Sequence, residues 1–152
     1  MPLIELSTAI RAPIETVFDL ARSIDAHIAS AGHTQERAVA GRNSGLIAAG
    51  ETVIWEARHF GVKQRLTVEI TEMDFPHSFE DVMVKGAFAS MRHRHEFEEA
   101  DGVTVMRDRF EFSAPLGILG WIAEKLFLTA YMTRFLTIRN AHLKAAAEAG
   151  AA

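Results

Sequence analysis

The chain contains no cysteine. That absence excludes disulfides, Cys-ligated zinc or iron–sulfur centres, and a thiol nucleophile. Basic residues are not in excess either. Sixteen Lys and Arg against twenty Asp and Glu give a net charge of −4, which is the wrong sign for a general nucleic-acid binder. No basic n-region followed by an apolar h-region opens the sequence, so no signal peptide is expected. The most apolar run, Leu116–Ala123, stops at Glu124-Lys125 and is too short to span a bilayer. Gly41, Gly45 and Gly50 form no phosphate-loop pattern, and no activated Ser constellation is visible. These absences predict a cytoplasmic protein with no integral membrane association, no nucleic-acid partner, and no cofactor or metal.

What is present is ordinary for a globular domain: 152 residues, 49% hydrophobic and 24% charged. A chain of this length buries roughly 70% of its unfolded surface, enough for one core and an internal cavity. A single domain over residues 1–148 is expected, with the alanine-rich residues 149–152 as a frayed tail.

Leu3–Arg11 alternates as a strand. Pro13 suits the first turn of a helix, and Ile14, Val17, Phe18 and Ala21 follow at helical spacing. A second short helical piece, Ile24–Ala31, ends at Gly32. Thr34–Gly41 is a weak strand pattern. Thr52–Phe60 is a stronger one, with Val53, Trp55, Ala57 and His59 on one face. Gly61-Val62 suits a two-residue hairpin, which would set Trp55 opposite Val68. Strands follow at Lys63–Asp74, Ser78–Lys85, Met91–Phe97 and Val103–Ser113, the last pair joined by Asp101-Gly102. From Trp121 to about Glu148 one long helix is predicted, with Leu119, Ile122, Leu126, Tyr131, Phe135, Ile138 and Leu143 as its apolar side. The expected fold class is α+β: a curved antiparallel sheet of six to seven strands wrapped around the long C-terminal helix, with two short helices after the first strand.

Several stretches carry a family resemblance: A-P-I-E-T-V-F-D-L (Ala12–Leu20), W-E-A-R-H-F-G (Trp55–Gly61), F-E-D-V-M-V-K-G-A-F (Phe79–Phe88), H-R-H-E-F (His93–Phe97) and D-R-F-E-F-S-A-P-L-G (Asp108–Gly117). Through them nearly the whole chain resembles the START/polyketide-cyclase superfamily of helix-grip domains, also called SRPBCC. Ala87 stands where Gly-Pro-Phe is common, and Met91 where an aromatic is common. The resemblance implies a hydrophobic cavity for a lipid, polyketide, quinone or hormone-like ligand. It does not imply one set of catalytic residues, because members range from enzymes to carriers.

The stretch M-R-H-R-H-E-F organises the candidate site. Met91, His93, His95 and Phe97 share one strand face, and Arg92, Arg94 and Glu96 the other. The Asp101-Gly102 turn sets His95 opposite Asp108 and His93 opposite Phe110. A three-residue turn at Gly86–Phe88 sets Asp81 opposite His93. Two His–Asp pairs are therefore expected, His95 with Asp108 and His93 with Asp81. They admit four roles. The pairs could satisfy one another in a buried wall, anchor the polar end of a ligand, act as a general acid–base dyad for cyclisation or dehydration, or form a metal triad. The first two are compatible and favoured together. His93, His95 and Asp108 are the catalytic candidates should the chain be an enzyme.

The expected ligand-binding set is Trp55, His59, Asp81, Met83, Met91, His93, His95, Phe97, Asp108, Phe110, Phe112 and Tyr131. Trp121 reads as core packing near a cavity entrance. Arg65 reads as a solvated charge, and His27, His33, His77 and His142 as surface residues. A protein-interaction module, using the exposed sheet face or the helix in a homodimer, is a further alternative.

Overall fold

The computed structural model describes residues 2–151 of the chain. The side chain of His33, expected at the surface, and the last residue of the expected tail lie outside what the structure describes. Strand β1 (Leu3–Ile10) is followed by helices α1 (Ile14–Ala21) and α2 (Ile24–Ser30). Six further strands come next: β2 (Arg37–Gly41), β3 (Thr52–His59), β4 (Val62–Asp74), β5 (Ser78–Lys85), β6 (Ser90–Ala100) and β7 (Val103–Ser113). Helix α3 (Ile118–Ala123), a π-helical turn (Glu124–Leu128) and helix α4 (Thr129–Ala151) close the chain. One seven-stranded antiparallel sheet has the order β1-β7-β6-β5-β4-β3-β2. It wraps around the long C-terminal helix, and α1 and α2 follow the first strand, as the periodicity predicts.

Local turn chemistry sets the registers. Asp101 and Gly102 both take positive φ, at 53° and 78°, the two left-handed residues that a type I′ hairpin needs. His95 therefore pairs with Asp108 and His93 with Phe110, while Glu96–Arg107 and Arg92–Glu111 lie opposite on the outer face. The β5–β6 register sets Asp81 opposite His93 and Glu80 opposite Arg94. The β3–β4 turn differs from expectation. It is Phe60-Gly61, again with two positive φ angles (54° and 74°), so Trp55 pairs with Leu66 rather than Val68. The register moves by two residues, and a shift of two preserves which face each side chain occupies.

The helix face also needs correction. Leu136, Arg139, Asn140, Leu143 and Ala147 are buried, at the 3–4 spacing of one helical face. Leu119, Ile122, Leu126 and Ile138, expected on the apolar side, are exposed. For Leu119, Ile122 and Leu126 the reason is that only the C-terminal half of the helix is seated on the sheet; Ile138 lies in that half, outside the Leu136–Arg139–Asn140–Leu143 face that is buried there. Lys144 Nζ donates to the Ala9 carbonyl at 2.6 Å and the Arg11 amide to Glu148 Oε2 at 2.9 Å, fastening that half to the β1 end. There Phe18 of α1 packs edge-on against Phe79, with ring centroids 5.2 Å apart, and near Phe97, also at 5.2 Å. The N-terminal half of the helix stands off the sheet, and a cavity fills the gap.

Candidate functional site

The cavity has a volume of ≈ 370 Å³, within the range of small-molecule sites. Its walls are largely apolar and come from Ile24, Val53, Trp55, Val68, Phe110 and Leu136, among others. Eight residues of the expected set border it: Trp55, His59, Asp81, Met91, His93, His95, Phe110 and Tyr131. Four do not. Phe97 is taken up by the packed core beside Phe18. Phe112 is fully buried against Phe88 and Phe110. Asp108 lies beneath the histidines, its side chain inaccessible. Met83 faces a separate hollow beside Val82 and Arg92.

The two His–Asp pairs exist, but the partners are exchanged. His93 Nε2 bonds Asp108 Oδ1 at 2.8 Å, and His95 Nε2 bonds Asp81 Oδ1 at 2.8 Å. The residues directly opposite are His95–Asp108 and His93–Asp81. Each side chain leans along its strand to the diagonal neighbour, which long side chains on one sheet face can reach. The imidazole rings stack, with centroids 3.8 Å apart. His95 Nδ1 is 3.5 Å from Asp108 Oδ1 and has no hydrogen-bond partner among the described residues.

Helix α4 completes the cluster with two residues that strand arithmetic could not supply. Asn140 Nδ2 donates to Asp108 Oδ2 at 2.7 Å, and Arg139 Nη1 to Asp108 Oδ1 at 3.3 Å. Arg139 also donates to the Asn140 side chain at 3.2 Å. Their sequence signal was the spacing: Arg139 and Asn140 interrupt the Leu136–Leu143–Ala147 face, and a polar pair there must meet polar partners.

Electrostatics follow from this packing. Burial by itself would raise the pKa of Asp108. The hydrogen bond and charge of His93, with the guanidinium of Arg139, overcome it and hold the carboxyl below the usual range. Asp81 behaves alike: burial opposes ionisation, and His95 restores it. His95 is pushed down to about 4, first by burial and then by the neighbouring His93, against the pull of Asp81. Asp81, His93 and His95 offer donor atoms within 4.8 Å of one another, the grouping a metal triad would use. Each Nε2 is already engaged by a carboxylate, and Arg139 supplies a counter-cation beside them.

Two further polar positions border the cavity. His59 Nδ1 and the Tyr131 hydroxyl are hydrogen-bonded at 2.5 Å near the β3–β4 turn. Burial, then the charge of Glu36, push the Tyr131 hydroxyl upward. His27 is not a surface residue. Its ring lies on Trp55 at 4.2 Å, and its Nε2 bonds the buried Glu36. His77 and His142 are exposed as expected. So is Trp121, contrary to expectation.

A sheet gripping a helix over an apolar cavity with a polar floor defines the class: a helix-grip domain. The chain belongs to the family described as polyketide cyclase / dehydrase and lipid transport, whose model matches residues 1–148. Among solved structures it is similar to TTHA0849 from Thermus thermophilus, at 20% identity and TM-score 0.75, covering 95% of this chain and 99% of that one. It is also similar to a START superfamily protein from Mycobacterium smegmatis, at 13% identity and TM-score 0.72, covering 96% and 97%. Ginseng major latex-like protein 151 from Panax ginseng matches at 15% identity and TM-score 0.69, covering 96% and 97%. A comparison with curated proteins finds no match. The fold is thus one built to hold hydrophobic ligands, and no helix among the described residues is long and apolar enough to cross a membrane.

Proposed function

We propose that this protein binds, and carries, a small hydrophobic molecule of the lipid, polyketide or quinone type that has a polar group at one end. The observation that supports it is the cavity itself: ≈ 370 Å³ with apolar walls, bordered on one side by Asp81, His93, His95 and Arg139. Asp81 is the less buried of the two carboxylates, with 18% of its side chain accessible against none for Asp108. An ionised, cavity-facing carboxylate beside a neutral imidazole accepts hydrogen bonds, so a ligand hydroxyl or phenol suits this floor.

A cyclase or dehydratase is the second reading, because His93, His95 and Asp81 border the same cavity, with Asp108 behind His93. It is the weaker one. An imidazole held near pKa 4 is a poor general base at neutral pH. Native mass spectrometry of gently purified protein, with a thermal-shift panel of fatty acids, quinones and aromatic polyketides, separates the two. Binding without turnover, weakened by Asp81→Asn, is expected. Turnover abolished by His95→Ala with binding intact would establish the enzyme, and no shift with any ligand would sink both readings.

A further inference from the structure

Nine of the fourteen large hydrophobic side chains exposed among the described residues lie on the Leu116–Phe127 segment or the Phe60–Val62 turn. The two segments meet: the Phe60 ring is 5.8 Å from Phe127 and 4.6 Å from Tyr131. Phe60, Pro115, Leu128 and Tyr131 also border the cavity, so this apolar surface rims its mouth.

The helix here is inside out. Its buried positions are Gly120 and Glu124. A Cβ on Gly120 would come within 1.9 Å of the Pro115 carbonyl oxygen, and Glu124 Oε1 accepts the Ala114 amide at 3.4 Å. Leu116, Ile118, Leu119, Trp121, Leu126 and Phe127 point outward, 49–79% exposed. A continuous apolar face of this kind marks an interaction site.

Charge decides what it meets. Residues 56–65 and 115–127 hold four basic and two acidic side chains, a net +2 in a chain of net −4, leaving −6 for the remainder. One acid, Glu56, is already paired with Arg37, Arg65 and Lys63, and the other is the buried Glu124. Lys125 Nζ lies 4.8 Å over the Trp121 ring, a cation and an aromatic side by side at the edge of an apolar face. A two-fold related second copy would set this positive end against itself. We propose that it docks on an anionic lipid surface, with the apolar side chains seated at the headgroup–acyl boundary and the cavity mouth facing the bilayer. The purpose of such docking rests on the ligand-binding reading; its test does not.

The test is flotation of the purified protein with vesicles of phosphatidylcholine containing one quarter phosphatidylglycerol, followed by tryptophan emission. The chain has two tryptophans, and Trp121 is 56% exposed against 8% for Trp55, so a blue shift reports Trp121 entering lipid. Co-flotation and a blue shift are expected, both lost at high salt and with pure phosphatidylcholine. Lys63→Glu or Lys125→Glu should weaken binding at least about fivefold, as the loss of one basic contact near an anionic surface implies. The triple variant L116S/I118S/L126S should abolish it with an unchanged melting temperature. No flotation by the wild type, or equal flotation by the triple variant, overturns the proposal. So does a dimer in sedimentation that the triple variant converts to monomer, because the patch would then be a protein interface. Vesicle binding with no ligand in native mass spectrometry would refute the cavity reading alone.

Discussion

His95 is a histidine that burial keeps neutral. Its pKa is pushed down to about 4 by burial, by His93 and by Arg139, and Asp81 does not compensate. A folded-state pKa below the unfolded value of about 6.5 gives stability that is complete above pH 6.5 and lost as pH falls toward 4. The loss amounts to roughly 3 kcal/mol. Urea midpoints measured from neutral pH down to about pH 4 should show it, and His95→Gln should flatten that window. Asp81 and Asp108 are depressed carboxylates, so they add a second loss below about pH 4 with the same sign. Asp108 also accepts from His93, Arg139 and Asn140. Asp108→Ala leaves the Arg139 cation buried beside vacated acceptor positions, and a loss of about 3–5 kcal/mol in urea unfolding is expected. The candidate residues on β5, β6 and β7 were legible from alternation. The bonding between them was not, because alternation gives a face and not the direction in which a side chain leans along it.

Among the elements, the hairpins show how far local chemistry reaches. Asp101-Gly102 carries its turn type in two residues, and the pairing of β6 with β7 follows directly. Phe60 takes a left-handed φ of 54°, a conformation that no propensity assigns to a bulky aromatic. That is why the β3–β4 turn sits one residue earlier than glycine preference suggests. The helix shows the opposite limit. Periodicity identifies an amphipathic helix but assumes that the apolar side faces the core. In α3 that assumption fails, because the short residue Gly120 is what allows the backbone to approach Pro115. Gly120→Ala should therefore cost about 1–3 kcal/mol, as overpacking does. Scanning calorimetry should show a Tm drop of roughly 2–4 °C per kcal/mol.

At the scale of the whole molecule, one asymmetry organises the rest. The C-terminal half of helix α4 is fastened to the end of β1 and to Arg11 just after it through Lys144 and Glu148, while its first turns, with Tyr131, Met132 and Phe135, border the cavity. The cavity is the consequence. Val68→Phe, on β4 at the cavity wall, should fill part of the ≈ 370 Å³ void. It should change stability by less than about 1 kcal/mol, since the added atoms enter free volume rather than a packed core. Ligand affinity in titration calorimetry should fall at least tenfold. With the wild type, ligand at a hundredfold excess over Kd should add about 2.7 kcal/mol of stability, and the Val68→Phe variant should lose most of that gain.

The order of elements, the class of fold, the β5–β6–β7 registers and the inner face carrying Asp81, His93, His95 and Asp108 are all written in the chain's local patterns. Each of these rests on a period of two, a period of about 3.6, or the φ demanded by a turn residue, and all three are local. Long-range packing is what brings Arg139 and Asn140 onto Asp108, lays His27 against Trp55, and turns the apolar side of α3 outward. Those facts depend on where a helix far along the chain comes to rest on the sheet. Nothing local encodes that placement.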